Sequence, residues 1–303
     1  MSKVTASNAY FIKLGEGGEW EAECLRDGTI KFGYRRTPHE LCLAADWDKV
    51  REVWKEIRKD GGAATRDANQ IRAFYEADEN TIFITFVNGS MYWCRPSGPV
   101  KVMPAAERIR RTVDGWHGTN IRGVPLTSDK LSGNLLKVQM FRGTICRVKP
   151  FDYLMRKLND QPSPELDAAN RAEQALVQAT VELLRLLTWQ DFELLIDLIF
   201  SSSGWRRIGV VGRVQKTVDL ELLLPTTGER AFVQVKGQAD AASLREYIGR
   251  FKQADEYDRM FFVWHSGRVD NVPNSGVTTI GPDRVSQMVL DAGLFSWLRE
   301  KVS

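Results

Sequence analysis

Between residues 189 and 264 the spacing of apolar residues switches repeatedly between a helical and a strand period, and the order of those switches limits the fold more than anything else in the chain. Residues 190–202 carry an apolar stripe at helical spacing; 205–212, 218–224 and 231–236 read as strands, 241–257 as a helix and 259–264 as a strand. The punctuation agrees. Gly204 follows the first helix, Pro225 and Gly228 fall between the second and third strands, and Gly237 follows the third. The expectation is an α/β unit of order α-β-β-β-α-β.

Two of these strands carry polar residues among strongly apolar neighbours. Successive side chains in a strand point to opposite faces, so Asp219 and Glu221 share one face while Val218, Leu220 and Leu222 share the other. By the same rule Gln234 and Lys236 lie opposite Val233 and Val235. Pairing Leu224 with Ala231 across the hairpin would set Asp219 opposite Lys236 and Glu221 opposite Gln234, making one polar patch. An acid, an amide oxygen and a lysine held on adjacent strands suit metal-assisted hydrolysis of a phosphodiester. Mg²⁺ takes a carboxylate, a neutral side-chain oxygen, substrate phosphate and several waters. Asp219 would be the main ligand and Gln234 would lend its carbonyl oxygen. Lys236 would hold the attacking water and offset charge in the transition state. Glu193, on the preceding helix, would complete the shell through a water. Glu221 is either an extra ligand or a solvated strand residue, and the second reading is favoured.

Phe192-Glu193-Leu194-Leu195, Gly204-Trp205, Val218-Asp219-Leu220 and Gln234-Val235-Lys236 together resemble the Mrr-type branch of the PD-(D/E)xK restriction-endonuclease-like superfamily, over about residues 188–267. The resemblance implies a Mg²⁺-dependent DNA endonuclease, with Mn²⁺ as a substitute ion and Glu193, Asp219, Gln234 and Lys236 as catalytic residues. Gln in place of Glu in the third motif is common in that branch. The chain departs from the pattern before the aspartate, where Gln215-Lys216-Thr217-Val218 stands in place of a glycine pair.

The first half reads differently. Runs at 9–14, 21–25 and 30–34 look like strands, and 81–87 and 90–94 form a hairpin about Asn88-Gly89, whose residues supply the positive φ values of a tight turn. Helices are expected at 47–59 and 65–75, and further strands at 107–113 and 143–149. This mostly β region, expected to be a β-barrel, loosely resembles the PUA superfamily, which includes EVE and SRA-like readers of modified bases. That resemblance implies a base drawn out of the duplex and stacked between aromatic side chains. Trp20, Trp47, Tyr75 and Trp93 are the candidates for such a cage, and Arg35, Arg36, Arg108, Arg110 and Arg111 for phosphate contacts. Most of the aromatic residues will nonetheless be core.

Asn159-Asp160-Gln161-Pro162-Ser163-Pro164 has the composition of a linker, so the expected division is 1–155 for base recognition, 156–187 for linker and connecting helix, and 188–303 for the nuclease. A formal net charge of +3 is compatible with a nucleic-acid partner without demanding one. The four cysteines form no CxxC pair, and His39, His117 and His265 are too scattered for a metal triad. With no apolar run long enough to cross a bilayer and no signal-like N-terminus, a cytoplasmic protein is expected. The reading is a modification-dependent (type IV) restriction endonuclease acting on double-stranded DNA as a homodimer. Its rivals are a non-cleaving nucleic-acid sensor and a nuclease for unmodified or branched DNA, or for RNA.

Overall fold

The computed structural model describes residues 2–208, 218–269 and 276–303. The chain divides into two compact units, Met1–Ser163 and Pro164–Ser303. Both are mixed α/β. No helix among the described residues is long and apolar enough to cross a membrane.

The N-terminal unit runs β1 (Asn8–Ile12), α1 (Glu21–Asp27), β2 (Thr29–Phe32), α2 (His39–Leu43), α3 (Trp47–Arg58), α4 (Gly61–Glu76), β3 (Thr81–Val87), β4 (Ser90–Cys94), β5 (Pro96–Val102), β6 (Arg108–Thr112), α5 (Gly133–Leu136), β7 (Ile145–Arg147) and α6 (Phe151–Leu158). Its strands form two sheets, β4-β3-β1-β7 and β2-β6-β5. The larger sheet is apolar on both faces. Ile12, Phe83 and Cys94 pack with α3 and α4 on one side, and Phe11, Ile82, Ile84 and Trp93 pack with α6 on the other. That explains why residues 81–85 of β3 are buried in succession without alternation. The Asn88-Gly89 turn has φ of 49° and 75° and joins Val87 to Ser90.

Two expectations need correction here. The unit is not mostly β, because six helices accompany the seven strands, and those strands make two sheets rather than one closed barrel among the described residues. Residues 21–25, expected as a strand, lie in α1. Only Cys24 is buried there, so no face alternates, and Gly28 closes the helix in a left-handed conformation at φ 62°.

The C-terminal unit runs α7 (Pro164–Leu184), α8 (Trp189–Ser202), β8 (Arg206–Arg207), β9 (Leu220–Leu223), β10 (Arg230–Ala239), α9 (Ala241–Gln253), β11 (Arg259–Gly267), β12 (Val277–Ile280), α10 (Pro282–Asp291) and α11 (Phe295–Val302). The sheet order is β12-β11-β10-β9-β8. β8, β9 and β10 pair antiparallel, then β10, β11 and β12 pair parallel. Helix α7 packs against α10 and α11 and so belongs to this unit. Beneath one face of the sheet Ala231, Val233 and Val235 meet α8, α10 and α11. On the other face Phe232, Met260, Phe262 and Trp264 meet α9. The expected strand at 205–212 is described only to residue 208, and Gln215-Lys216-Thr217 lies outside the described residues.

Candidate active site

The β9–β10 hairpin sets the site. Its observed register pairs Leu223 with Arg230, Leu222 with Ala231, Glu221 with Phe232 and Leu220 with Val233. This is two residues tighter than expected, because Gly228 adopts φ 79° and the amide of Leu224 donates to Glu229 O at 2.8 Å, closing a short loop. A shift of two preserves the faces but changes the partners. Asp219, not Glu221, comes beside Gln234: one oxygen of its carboxylate accepts from the Gln234 amide and from Val235 N at 2.6 Å. Glu221 lies instead opposite buried Phe232, close enough to Tyr257 for its carboxylate to raise that phenol's pKa.

The charged groups converge on that aspartate. Burial raises the Asp219 carboxyl above its ordinary value, opposed by the Val235 N–H, the Lys236 charge and the Gln234 amide. Glu193, half-buried on α8, is raised by burial and then by the Asp219 charge, while Arg207 and Lys236 pull it down. Of the four sequence-predicted residues, Glu193, Asp219 and Lys236 therefore lie within electrostatic reach of one another, and Gln234 is hydrogen-bonded to Asp219. The Lys236 ammonium rests 5.1 Å from the centre of the Tyr247 ring on α9, which steadies a long side chain against an aromatic face. Arg207 was not foreseen. It sits on β8, 3.3 Å from Asp197, and its charge also reaches Glu193. Its signal in the sequence was weak, although Glu193 and Asp197 stand one helical turn apart on the same face.

The donor set suits a hard divalent ion. Gln234 is 2% exposed and turns its amide nitrogen to Asp219, since its oxygen would repel a carboxylate; its Oε1 is buried and has no hydrogen-bond partner. An orphaned amide oxygen beside two mutually repelling carboxylates is a set of groups that a cation would satisfy. Among the described residues no three His, Cys, Asp or Glu side chains gather as a metal group. Two carboxylates with a neutral oxygen match Mg²⁺ that keeps waters and substrate phosphate in its shell. His265 is buried on β11 with its ring edge-on to Phe192 at 4.7 Å, and burial lowers its pKa.

The aromatic residues singled out in the first half do not form one cage. Trp93 is buried in the core against α6, its indole N–H given to Thr119 O at 2.9 Å. Trp47 and Tyr75 meet at 6.4 Å on the α3–α4 side, with the Trp47 indole bonded to Glu76 and the Tyr75 hydroxyl to His39. Trp20 stands apart on a groove with Tyr34 and Trp54. Two of the five arginines are also reassigned. Arg108 and Arg110 are 2% and 7% exposed and point inward from β6. Arg108 donates to the carbonyls of Tyr34, Thr37 and Ala106, and Arg110 to those of Phe74, Ala77 and Gly98. They hold backbone that would otherwise be buried unpaired, so neither can reach a phosphate. Arg35, Arg36 and Arg111 remain exposed, Arg35 paired with Glu107 at 2.6 Å.

No protein-family model matches the chain, and none of the curated proteins is significantly similar to it. Among solved structures the chain is similar to the MspJI restriction endonuclease in complex with a 27-mer oligonucleotide, with 13% identity and a TM-score of 0.29, over 92% of this chain and 74% of that one. A likeness this distant decides neither fold nor function. What the chain does must be read from its own side chains.

Proposed function

We propose that the C-terminal unit hydrolyses DNA phosphodiester bonds with Mg²⁺ or Mn²⁺, and that the N-terminal unit directs it to modified bases, making the protein a modification-dependent restriction endonuclease. The observation that carries the reading is the grip of β10 on Asp219 through Val235 N–H and Gln234, with the charges of Glu193 and Lys236 close enough to act on it. Asp219, Glu193 and the free Oε1 of Gln234 would hold the ion. Bound there, it would polarise the phosphate and favour departure of the leaving oxygen. Lys236 orients the attacking water and offsets the charge that builds on the phosphate oxygens. The Tyr247 ring keeps that ammonium in place. Cutting both strands of a duplex calls for two such sites, and hence for a dimer on DNA.

The test compares wild type, Asp219→Ala and Lys236→Ala on plain, cytosine-methylated, hydroxymethylated and glucosylated DNA with Mg²⁺. Cleavage of modified DNA by wild type alone is expected, with DNA binding retained in both variants. Full cleavage by both variants would overturn the assignment; equal cleavage of all four DNAs would remove the modification dependence and leave the nuclease.

A further inference from the structure

The N-terminal unit holds a groove made of two adjoining hollows, of about 520 and 700 Å³, which share Tyr34, Trp54, Arg58 and Arg142 in their walls. At its wall lies Asp67, only 6% exposed. One Asp67 oxygen accepts from the Tyr34 hydroxyl at 2.9 Å and the other from Arg58 Nε at 2.5 Å. Tyr34 stacks on Phe32 at 4.7 Å, meets the edge of Trp54 at 5.0 Å and holds a left-handed backbone with φ 52°. For a bulky residue that conformation is strained by on the order of 1 kcal/mol, and such residues concentrate where a ligand is clamped. Gly143 keeps the wall bare, since a Cβ there would come within 2.5 Å of the Phe141 ring. Around the opening, Arg36, Arg66 and Arg142 have no ion-pair partner among the described residues.

We propose that this groove takes one unstacked nucleobase bearing an exocyclic amino group, cytosine-like or adenine-like, with its phosphate on the arginine rim. This deepens the reading of the N-terminal unit as the base reader and is independent of the β9–β10 site. A carboxylate offers about four lone-pair positions, and Asp67 uses two, so N–H donors can fill the others. Arg58 commits only its Nε, leaving both Nη groups to donate. An acceptor beside a donor matches a base edge that sets an amino group next to a ring nitrogen, as cytosine and adenine do. Uracil and thymine place a carbonyl where the amino group should be and would set oxygen against the carboxylate. Trp20, half-buried in the wall of the adjoining hollow, is the stacking surface. The amino-bearing nucleotide could come free from solution or be drawn out of DNA, with the same contacts in either case.

Calorimetry on the full chain in EDTA separates the outcomes, with dCMP, dUMP and deoxyribose 5-phosphate as probes and short duplexes holding one mismatched cytosine or uracil as competitors. Wild type should bind dCMP about tenfold more tightly than dUMP, the worth of one good polar pair. Arg142→Ala, at an exposed position, should weaken both nucleotides several-fold, and Asp67→Asn, which offers an N–H in place of an acceptor, should bring dUMP level with dCMP. Competition by the cytosine duplex identifies DNA as the source, and competition by free nucleotide alone identifies the solution nucleotide; both support the groove. Equal affinity for dCMP and dUMP, binding of deoxyribose 5-phosphate as tight as that of dCMP, no binding of any probe, or indifference to Arg142→Ala would overturn it. Because no cleavage is read, failure here leaves the hairpin site standing, and inactivity at the hairpin leaves this groove standing.

Discussion

Each unit sets an aspartate at the centre of a polar group, Asp67 buried and Asp219 half-buried, and the two are satisfied in opposite ways. Asp67 has its counter-charge built in, the guanidinium of Arg58, together with the Tyr34 hydroxyl. Asp219 is held mainly by neutral donors, the Val235 N–H and the Gln234 amide, and its neighbours include a second carboxylate, Glu193. A carboxylate held by its own arginine and a hydroxyl is fixed in direction, which is what recognition of a neutral base edge requires. A carboxylate that shares space with another and has only partial compensation favours an added cation. The difference matches the separate roles proposed for the two sites, reading and reacting, without reference to any relative.

The contrast breaks most visibly in cleavage. Asp219→Ala or Lys236→Ala should lower the rate on modified DNA by roughly 10³-fold or more, the scale of losing an ion ligand or a transition-state charge. Arg58→Ala should instead lower the preference for modified over plain DNA and leave the rate on plain DNA within a few-fold. If Arg58→Ala abolished cleavage of every DNA as Asp219→Ala does, the division between the two aspartates would fail.

A second test moves Asp219 further from satisfaction. Gln234→Glu replaces a buried hydrogen-bond donor by a third negative charge, at 2% exposure. In EDTA the C-terminal unit should lose about 2 to 4 kcal/mol, seen as a fall of roughly 5 to 10 °C in its melting step. Mn²⁺ should restore most of that fall. A melting temperature indifferent to Mn²⁺ in this variant would mean that the hairpin does not collect ions.

A smaller effect follows from the titration of the pair. Asp219 and Glu193 both have carboxyl pKa values raised in the folded state above those of the unfolded chain, near 4. A raised folded value stabilises the fold fully below the unfolded pKa, and the contribution is lost as pH rises through the folded one. The ion-free protein therefore holds two unfavourable charges at neutral pH. Asp219→Asn keeps an oxygen for Val235 N–H, removes one charge and lets Glu193 ionise more easily. In EDTA it should melt on the order of 1 to 3 °C above wild type at pH 7 to 8, with the gap closing toward pH 4. A gap that widened on acidification would show that the pair is not strained by its charges.

How much of this was legible depended on how far apart the determining residues lie. Helix α3 begins where Asp46 accepts from Lys49 N, α8 begins where Thr188 accepts from Asp191 N, and the first hairpin turns at Asn88-Gly89; each signal lies within four residues of the element it starts. The faces of β9 and β10 were legible for the same reason, since alternation needs no partner. The pairing between them was not, because it depended on the loop geometry at Gly228. Arg108 and Arg110 resembled a basic patch, yet the carbonyls they satisfy come from residues 34, 37, 74, 77, 98 and 106. The groove was hidden altogether, as its walls come from residues 20, 34, 54, 67 and 142, which share no local pattern.

The smallest expected effect is also the sharpest test of the register. With Leu224 paired to Ala231, Glu221 would have faced Gln234 and stood among the ligands. In the observed pairing it stands two residues along, opposite Phe232, near enough to Tyr257 that the phenol's pKa is pushed up by burial and then by the Glu221 and Glu256 carboxylates. Glu221→Gln should therefore leave the cleavage rate within about twofold of wild type, since the substituted group touches neither ion nor phosphate. Its visible consequence should be at Tyr257, whose phenol should titrate at lower pH once the charge beside it is gone, read from the ultraviolet difference spectrum against Tyr257→Phe. A large loss of cleavage with the phenol titration unchanged would return Glu221 to the ion and the hairpin to the looser pairing.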